Sequence, residues 1–83
     1  PNPFNPTTEI EFSLPRVSEV SLVVYNLIGQ QVRSLVKGLY AAGTHRVTFD
    51  GRTDHGEPLS SGMYFYRLTT GTFMQTRKMV LVK

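Results

Sequence analysis

The polar loop formed by residues 50–62 holds three of the six acidic residues in the chain, Asp50, Asp54 and Glu57. The spacing of Asp50 and Asp54 around Arg52, followed by a glycine, resembles the start of a calcium-binding loop. However, Arg52 occupies a ligand position, and no later glutamate has the spacing of the bidentate ligand. Aspartates also cap turns by accepting hydrogen bonds from nearby backbone N–H groups. The pattern therefore favours turn capping over a cation site, and we predict no metal and no cofactor.

The other groups that could do chemistry do not form a catalytic set. Glu9 and Glu11 fall on the same face of a predicted strand, without a pocket between them for a sugar. His45 and His55 lack the neighbours of a triad, and we expect tyrosine or solvent against His45. The chain has no nucleophile elbow, no phosphate-binding loop and no cysteine. We therefore predict that the protein is not an enzyme.

Length and charge limit the remaining classes of function. Eighty-three residues make one domain with a thin core. Nine basic and six acidic residues give a net charge of +3, and the basic residues are spread along the chain, with only Arg77 and Lys78 adjacent. This distribution is typical of a solvated surface, so we expect no nucleic-acid partner. No apolar run approaches the ~20 residues that span a bilayer, so we expect no membrane insertion.

Short segments in which apolar and polar residues alternate predict β strands throughout. The predicted strands are Thr8–Leu14, Glu19–Asn26, Gln31–Leu35, Thr44–Phe49, Met63–Thr69 and Phe73–Val82. A helical pattern is also present in residues 30–39, but the valine-rich flanks and the short turns favour strands there. Six or seven strands with glycine turns between them predict an all-β, antiparallel sandwich over residues 8–83. Residues 1–7 are proline-rich and read as the end of a linker.

Residues 60–71 contain the strongest β signal of the chain. In the strand Met63–Thr69 both faces carry large apolar groups, which predicts a central strand with neighbours on both edges. The final segment, residues 73–83, can then fold back beside this strand through a tight turn at Gly71.

Aromatic residues allow a second interpretation, in which Tyr25, Tyr40, Tyr64 and Tyr66, with four of the five phenylalanines, form a platform that binds sugars. The competing interpretation is that Phe12, Phe49, Tyr64 and Tyr66 form the core. Because the chain has no tryptophan, the core interpretation is favoured. Binding of polysaccharide by an accessory sandwich stays as an alternative.

Six blocks of sequence resemble, in order, the C-terminal sorting domains of the bacterial type IX secretion system, the type A Por secretion tail. The blocks are Pro1–Thr8, Val24–Gln30, Ala42–His45, Phe49–Gly56, Ser61–Leu68 and Lys78–Lys83. The middle blocks are also similar to the Ig-like domain of the flagellar hook-capping protein, in which Phe49 would usually be tryptophan. Both resemblances imply an Ig-like antiparallel β-sandwich of about seven strands.

The resemblance to sorting domains implies a role in protein transport. Such a domain directs an N-terminal passenger, an exported enzyme or adhesin, across the outer membrane to the cell surface or the medium. Its partners would be the type IX machinery and a sortase-like peptidase, and the chain would be part of a longer protein. The alternative from the second resemblance is a structural Ig-like scaffold of the hook-cap type. The implied recognition residues are Gly62, Tyr64, Lys78, Met79, Val80, Leu81, Val82 and Lys83.

The last strand has the features of a recognition strand. If it lies at a sheet edge, its unpaired N–H and C=O groups can pair with a strand of a receptor, or of a second copy in a dimer. Met79 and Leu81 would then lie on one face and Val80 and Val82 on the other. Lys78 and Lys83, at the ends of this apolar run, would discourage self-association.

Overall fold

The computed structural model describes residues 7–83, which fold into six β strands. They are β1 (Thr8–Leu14), β2 (Ser18–Tyr25), β3 (Gln31–Tyr40), β4 (Gly43–Phe49), β5 (Gly62–Thr70) and β6 (Phe73–Leu81). The predicted linker lies, apart from Thr7, outside the described residues. None of the described residues forms a helix that is long and apolar enough to cross a membrane.

The strands form two antiparallel sheets, which confirms the predicted all-β sandwich with six strands instead of about seven. One sheet contains β1 and β4, and the other has the order β3-β2-β5-β6. Strand β5 pairs with β2 on one side and with β6 on the other, so the prediction of a central strand is correct. Strands β3 and β6 are consequently the two edges of the four-stranded sheet.

Strand β3 is longer than its sequence pattern indicates. The pattern predicts a strand that ends at Leu35 and a connection through Gly38, whereas β3 continues to Tyr40. The added residues pair with the first half of β2, where Val20 lies opposite Gly38. Gly38 has φ +154, a backbone conformation that side-chain-bearing residues rarely adopt. Pairing with β2 thus overrides the local signal of a glycine loop, and the helical alternative is wrong.

Two clusters of apolar side chains fill the space between the sheets. The first consists of Ile10, Phe12, Leu14, Val20, Leu22, Val36 and Leu68. The second consists of Val24, Phe49, Leu59, Tyr64, Met79 and Leu81. Phe49, Leu22 and Val24 are the largest fully buried side chains. The residues that each strand gives to these clusters lie at alternate positions, because alternate side chains of a strand point to opposite faces of its sheet.

Candidate interaction surface

Arg33 fixes the polar loop between β4 and β5. Its Nη1 donates hydrogen bonds to Asp50 Oδ1, at 2.9 Å, and to the carbonyl oxygen of Arg52, at 2.8 Å. Its Nε lies 3.9 Å from Asp54 Oδ1, and the same oxygen accepts a hydrogen bond from the backbone N–H of Ser34. The two aspartates therefore attach the loop to β3.

The surroundings of Asp50 lower the pKa of its carboxyl group. Partial burial acts to raise the pKa of its carboxyl group, but the hydrogen bond from Arg33, the backbone N–H of Arg52 and the charge of Arg33 together lower this pKa below its ordinary value. Asp50 accepts from the backbone N–H of Arg52 at 3.1 Å, as the turn-capping interpretation predicts. Residues 7–83 contain no group of three His, Cys, Asp or Glu side chains placed to hold a metal ion.

Two of the other groups considered for chemistry, His45 and Glu11, make structural contacts. His45 stacks on Phe12, with ring centroids 5.3 Å apart, and its Nε2 lies 2.7 Å from the carbonyl oxygen of Ala41. The ring of Tyr40 meets His45 edge to face, as expected for a strand histidine packed by tyrosine. Glu11 accepts a hydrogen bond from Arg46 Nε at 3.0 Å on the exposed face of the smaller sheet.

The four tyrosines do not form an exposed row. Tyr64 is buried, and Tyr66 packs half-buried against both core clusters. Tyr40 packs against the ring of Phe12. Tyr25 lies on the opposite face of the sheet, where the guanidinium carbon of Arg67 is 5.3 Å from its ring centroid. The flat platform on which stacking of a sugar depends is therefore not assembled from these residues.

Gly62 and Tyr64, two of the residues implied in recognition, lie at the start of β5. Gly62 pairs with Leu81 and has φ +151. The hydroxyl of Tyr64 donates a hydrogen bond to the carbonyl oxygen of Ser60 at 2.7 Å, while its ring belongs to the second core cluster. The hydrogen bond ties the end of the β4–β5 loop to β5, and Tyr64 is 6% exposed.

The C-terminal residues divide between core and solvent. Met79 and Leu81 are 6% and 2% exposed and belong to the second core cluster. Lys78 and Lys83 are exposed. Val80 and Val82, 59% and 71% exposed, complete the solvent-facing group. The predicted alternation of the two faces is confirmed, and β6 lies at an edge of the four-stranded sheet.

A further exposed apolar feature does not follow from the alternation of the strands. Leu27 and Ile28, in the turn between β2 and β3, are 64% and 80% exposed. The sequence indicates only a tight turn at Gly29. Two consecutive aliphatic residues between an asparagine and a glycine were the signal for a turn that presents apolar side chains.

Two layers of antiparallel strands around the two core clusters define a β-sandwich, and comparison with known proteins shows that it is Ig-like and gives its family. Residues 3–72 match the family described as the FlgD Ig-like domain, so the chain belongs to that family. The crystal structure of FlgD from P. aeruginosa superposes with a TM-score of 0.71 at 26% sequence identity. The match covers 90% of this chain and 59% of the FlgD chain. Among curated proteins no match is found.

Proposed function

We propose that the chain is a structural Ig-like scaffold of the hook-cap type, which acts through contacts with other proteins and not through catalysis. The observation that carries the proposal is the family match over residues 3–72, together with the similarity of the fold to FlgD. The contacts of the polar groups support it, since Arg33, Asp50, Asp54 and His45 are engaged within the domain itself. The protein would work outside the cytoplasm, in an assembly with other subunits.

A domain exchange in P. aeruginosa tests this proposal. Residues 8–83 would replace the Ig-like domain of FlgD, and swimming would be compared with strains that carry native FlgD or FlgD without the domain. Swimming of the exchange strain above that of the deletion strain supports the scaffold. An exchange protein that accumulates to the native level but leaves cells as non-motile as the deletion contradicts it.

The second candidate function is a sorting domain of the type IX secretion system, which one observation favours. The family match ends at residue 72, before β6, although the structural match to FlgD covers 90% of the chain. This strand nevertheless contributes Met79 and Leu81 to the core and exposes Val80 at the edge of the sheet. An exposed edge can pair with a strand of a receptor, and the alternate side chains can give specificity.

The burial of Met79 and Leu81 decides how the sorting function is tested. Removal of residues 79–83 would take two side chains from the core, so a loss of export would not distinguish recognition from unfolding. The informative variant is Lys78→Glu with Val80→Thr, and its matched control on the opposite edge strand is Lys37→Glu with Leu39→Thr.

Each variant would be fused to a fluorescent reporter with a signal peptide, in a bacterium with type IX machinery. Export of the wild type and of the control, with retention of the β6 variant in the periplasm, supports the sorting function. Equal export of both variants, or retention of the wild type, contradicts it.

A further inference from the structure

We infer that one end of the larger sheet binds an acidic, aliphatic-rich segment of another protein. The surface lies on the side of the sheet that faces away from the core, where the β2–β3 turn approaches the start of β5. We call it the turn groove, and its main residues are Tyr25, Leu27, Ile28, Met63, Phe65 and Arg67. This inference goes beyond the scaffold function, which assigns no binding face.

Hydrogen bonds hold the backbone of the turn, although it exposes two aliphatic side chains. Asn26 Oδ1 accepts hydrogen bonds from the backbone N–H groups of Ile28, at 3.1 Å, and Gln30, at 2.9 Å. Asn26 Nδ2 donates to Gln30 Oε1 at 2.8 Å, and the N–H of Gly29 donates to the carbonyl oxygen of Asn26 at 3.0 Å. A partner would therefore meet Leu27 in a preorganised position, which reduces the entropic cost of binding.

Two shallow cavities flank Leu27 and share it as a wall. One, of about 330 Å³, is lined by Tyr25, Phe65 and Arg67 among others. The other, of about 340 Å³, includes Ile28 and Met63. Together the cavities place Leu27, Phe65 and Met63 along the ends of β2 and β5, with the polar side chains of Asn26, Ser61 and Thr76 also in the lining.

The apolar surface continues onto the edge strand. Met63 pairs with Val80 across β5 and β6, and these side chains are 40% and 59% exposed. Phe65 pairs with Lys78 on the same face, so a cation adjoins the apolar side chains. The patch thus reaches from the turn to the edge of the sheet, a length that an extended segment can follow.

Charge identifies the chemistry of the partner. On this face the described strands carry Arg67, Lys78 and Lys37, and their single carboxylate is Glu19. Glu19 pairs with Leu39, at the opposite end of β2 from Tyr25, so it does not neutralise the groove. A segment with carboxylates beside Arg67 and Lys78 would complement this charge. A second copy that presented the same face would bring like charges together.

An NMR titration of the 83-residue chain tests the inference. The probe is a synthetic peptide of about ten residues in which glutamate alternates with leucine and valine. A peptide with lysine for glutamate and one with serine for leucine and valine serve as controls. We expect saturable shift changes at residues 25–29, 62–67 and 78–80 with the acidic peptide alone, and affinity about tenfold weaker at high salt.

Matched variants locate the contact. Leu27→Ser with Ile28→Ser should weaken binding of the acidic peptide by about tenfold or more, since both side chains are exposed and their loss leaves the core intact. Leu39→Ser removes an equally exposed leucine, 68% accessible, at the far end of the same face and should leave binding unchanged. Absent or non-saturable shifts, shifts outside the groove, equal binding of the lysine peptide, or equal effects of the variants would each overturn the inference.

Discussion

Arg33 lies over the ring of Phe49, with its guanidinium carbon 5.8 Å from the ring centroid. The two residues belong to different sheets, Arg33 to β3 and Phe49 to the end of β4. The contact therefore closes one end of the sandwich, and the same guanidinium also holds Asp50. A charged group thus joins the two layers and positions the loop that leads to the central strand.

Replacement of Arg33 should destabilise the domain more than replacement of a fully exposed arginine. For Arg33→Met we expect a loss of about 1–3 kcal/mol, because the cation–π contact and the charged hydrogen bonds disappear together. Arg46→Met is the control, since Arg46 and its partner Glu11 are 66% and 55% exposed, and it should lower the free energy of unfolding by less than Arg33→Met does. Urea unfolding measures the free energy of unfolding of both variants. Equal decreases for Arg33→Met and Arg46→Met would contradict a special role of Arg33.

Truncation of Phe49 should be the most damaging of the core substitutions. Phe49 is 0% exposed and contributes to the second core cluster, so Phe49→Ala should cost about 3–5 kcal/mol through lost burial and an added cavity. In a domain of this size such a loss approaches the whole free energy of unfolding. Val80→Ala, at an exposed position in β6, should change stability by less than about 0.5 kcal/mol. Comparable thermal midpoints for the two variants would refute the assignment of the core.

The free energy of unfolding should decrease at acidic pH because Asp50 becomes protonated. The folded state lowers the pKa of Asp50, so its contribution is fully present above the pKa of the unfolded chain, about 3.9. The contribution is lost as the pH falls through the still lower folded pKa. Asp50→Asn should therefore be less stable than the wild type at neutral pH, and the difference should shrink as the pH falls through the pKa of the unfolded chain towards the lower folded pKa. A difference that stays constant between neutral pH and pH 2 would contradict this linkage.

Substitution by alanine should affect the stability of the domain differently at Gly29 and at Gly71. Gly29 has φ +84, so Gly29→Ala should cost about 1 kcal/mol because a Cβ is strained in this region. Gly71, in the β5–β6 turn, has no positive φ and open space around it. Gly71→Ala should therefore be neutral, or stabilise by up to about 1 kcal/mol through the unfolded chain. Chemical denaturation measures the stability of both variants. A larger loss of stability for Gly71→Ala than for Gly29→Ala would contradict the geometry of these turns.

The sequence predicts the strands well because each has a two-residue period that marks one buried face. Its errors come from interactions between distant residues. Gly38 signals a loop locally, but pairing with Val20 keeps it in β3. The faces of Met79 and Val80 follow from alternation alone. By contrast, the position of Arg33 over Phe49 depends on how the two sheets pack, which no local pattern contains.

The exposed aliphatic residues of the turn groove also could not be predicted from the local sequence. Leu27 and Ile28 read as ordinary turn residues, because their exposure depends on how the side chain of Asn26 closes the turn through Gln30. Their proximity to Met63 arises from the pairing of β2 with β5, which brings distant segments together. The groove therefore becomes visible only in the folded chain.

The measurement that tests the scaffold function most directly is swimming of P. aeruginosa that carries FlgD with residues 8–83 in place of its Ig-like domain. A scaffold role predicts motility above that of the domain-deletion strain, and loss of this motility when Phe49→Ala unfolds the inserted sandwich. Stable, folded exchange protein in cells that swim no better than the deletion strain would contradict it.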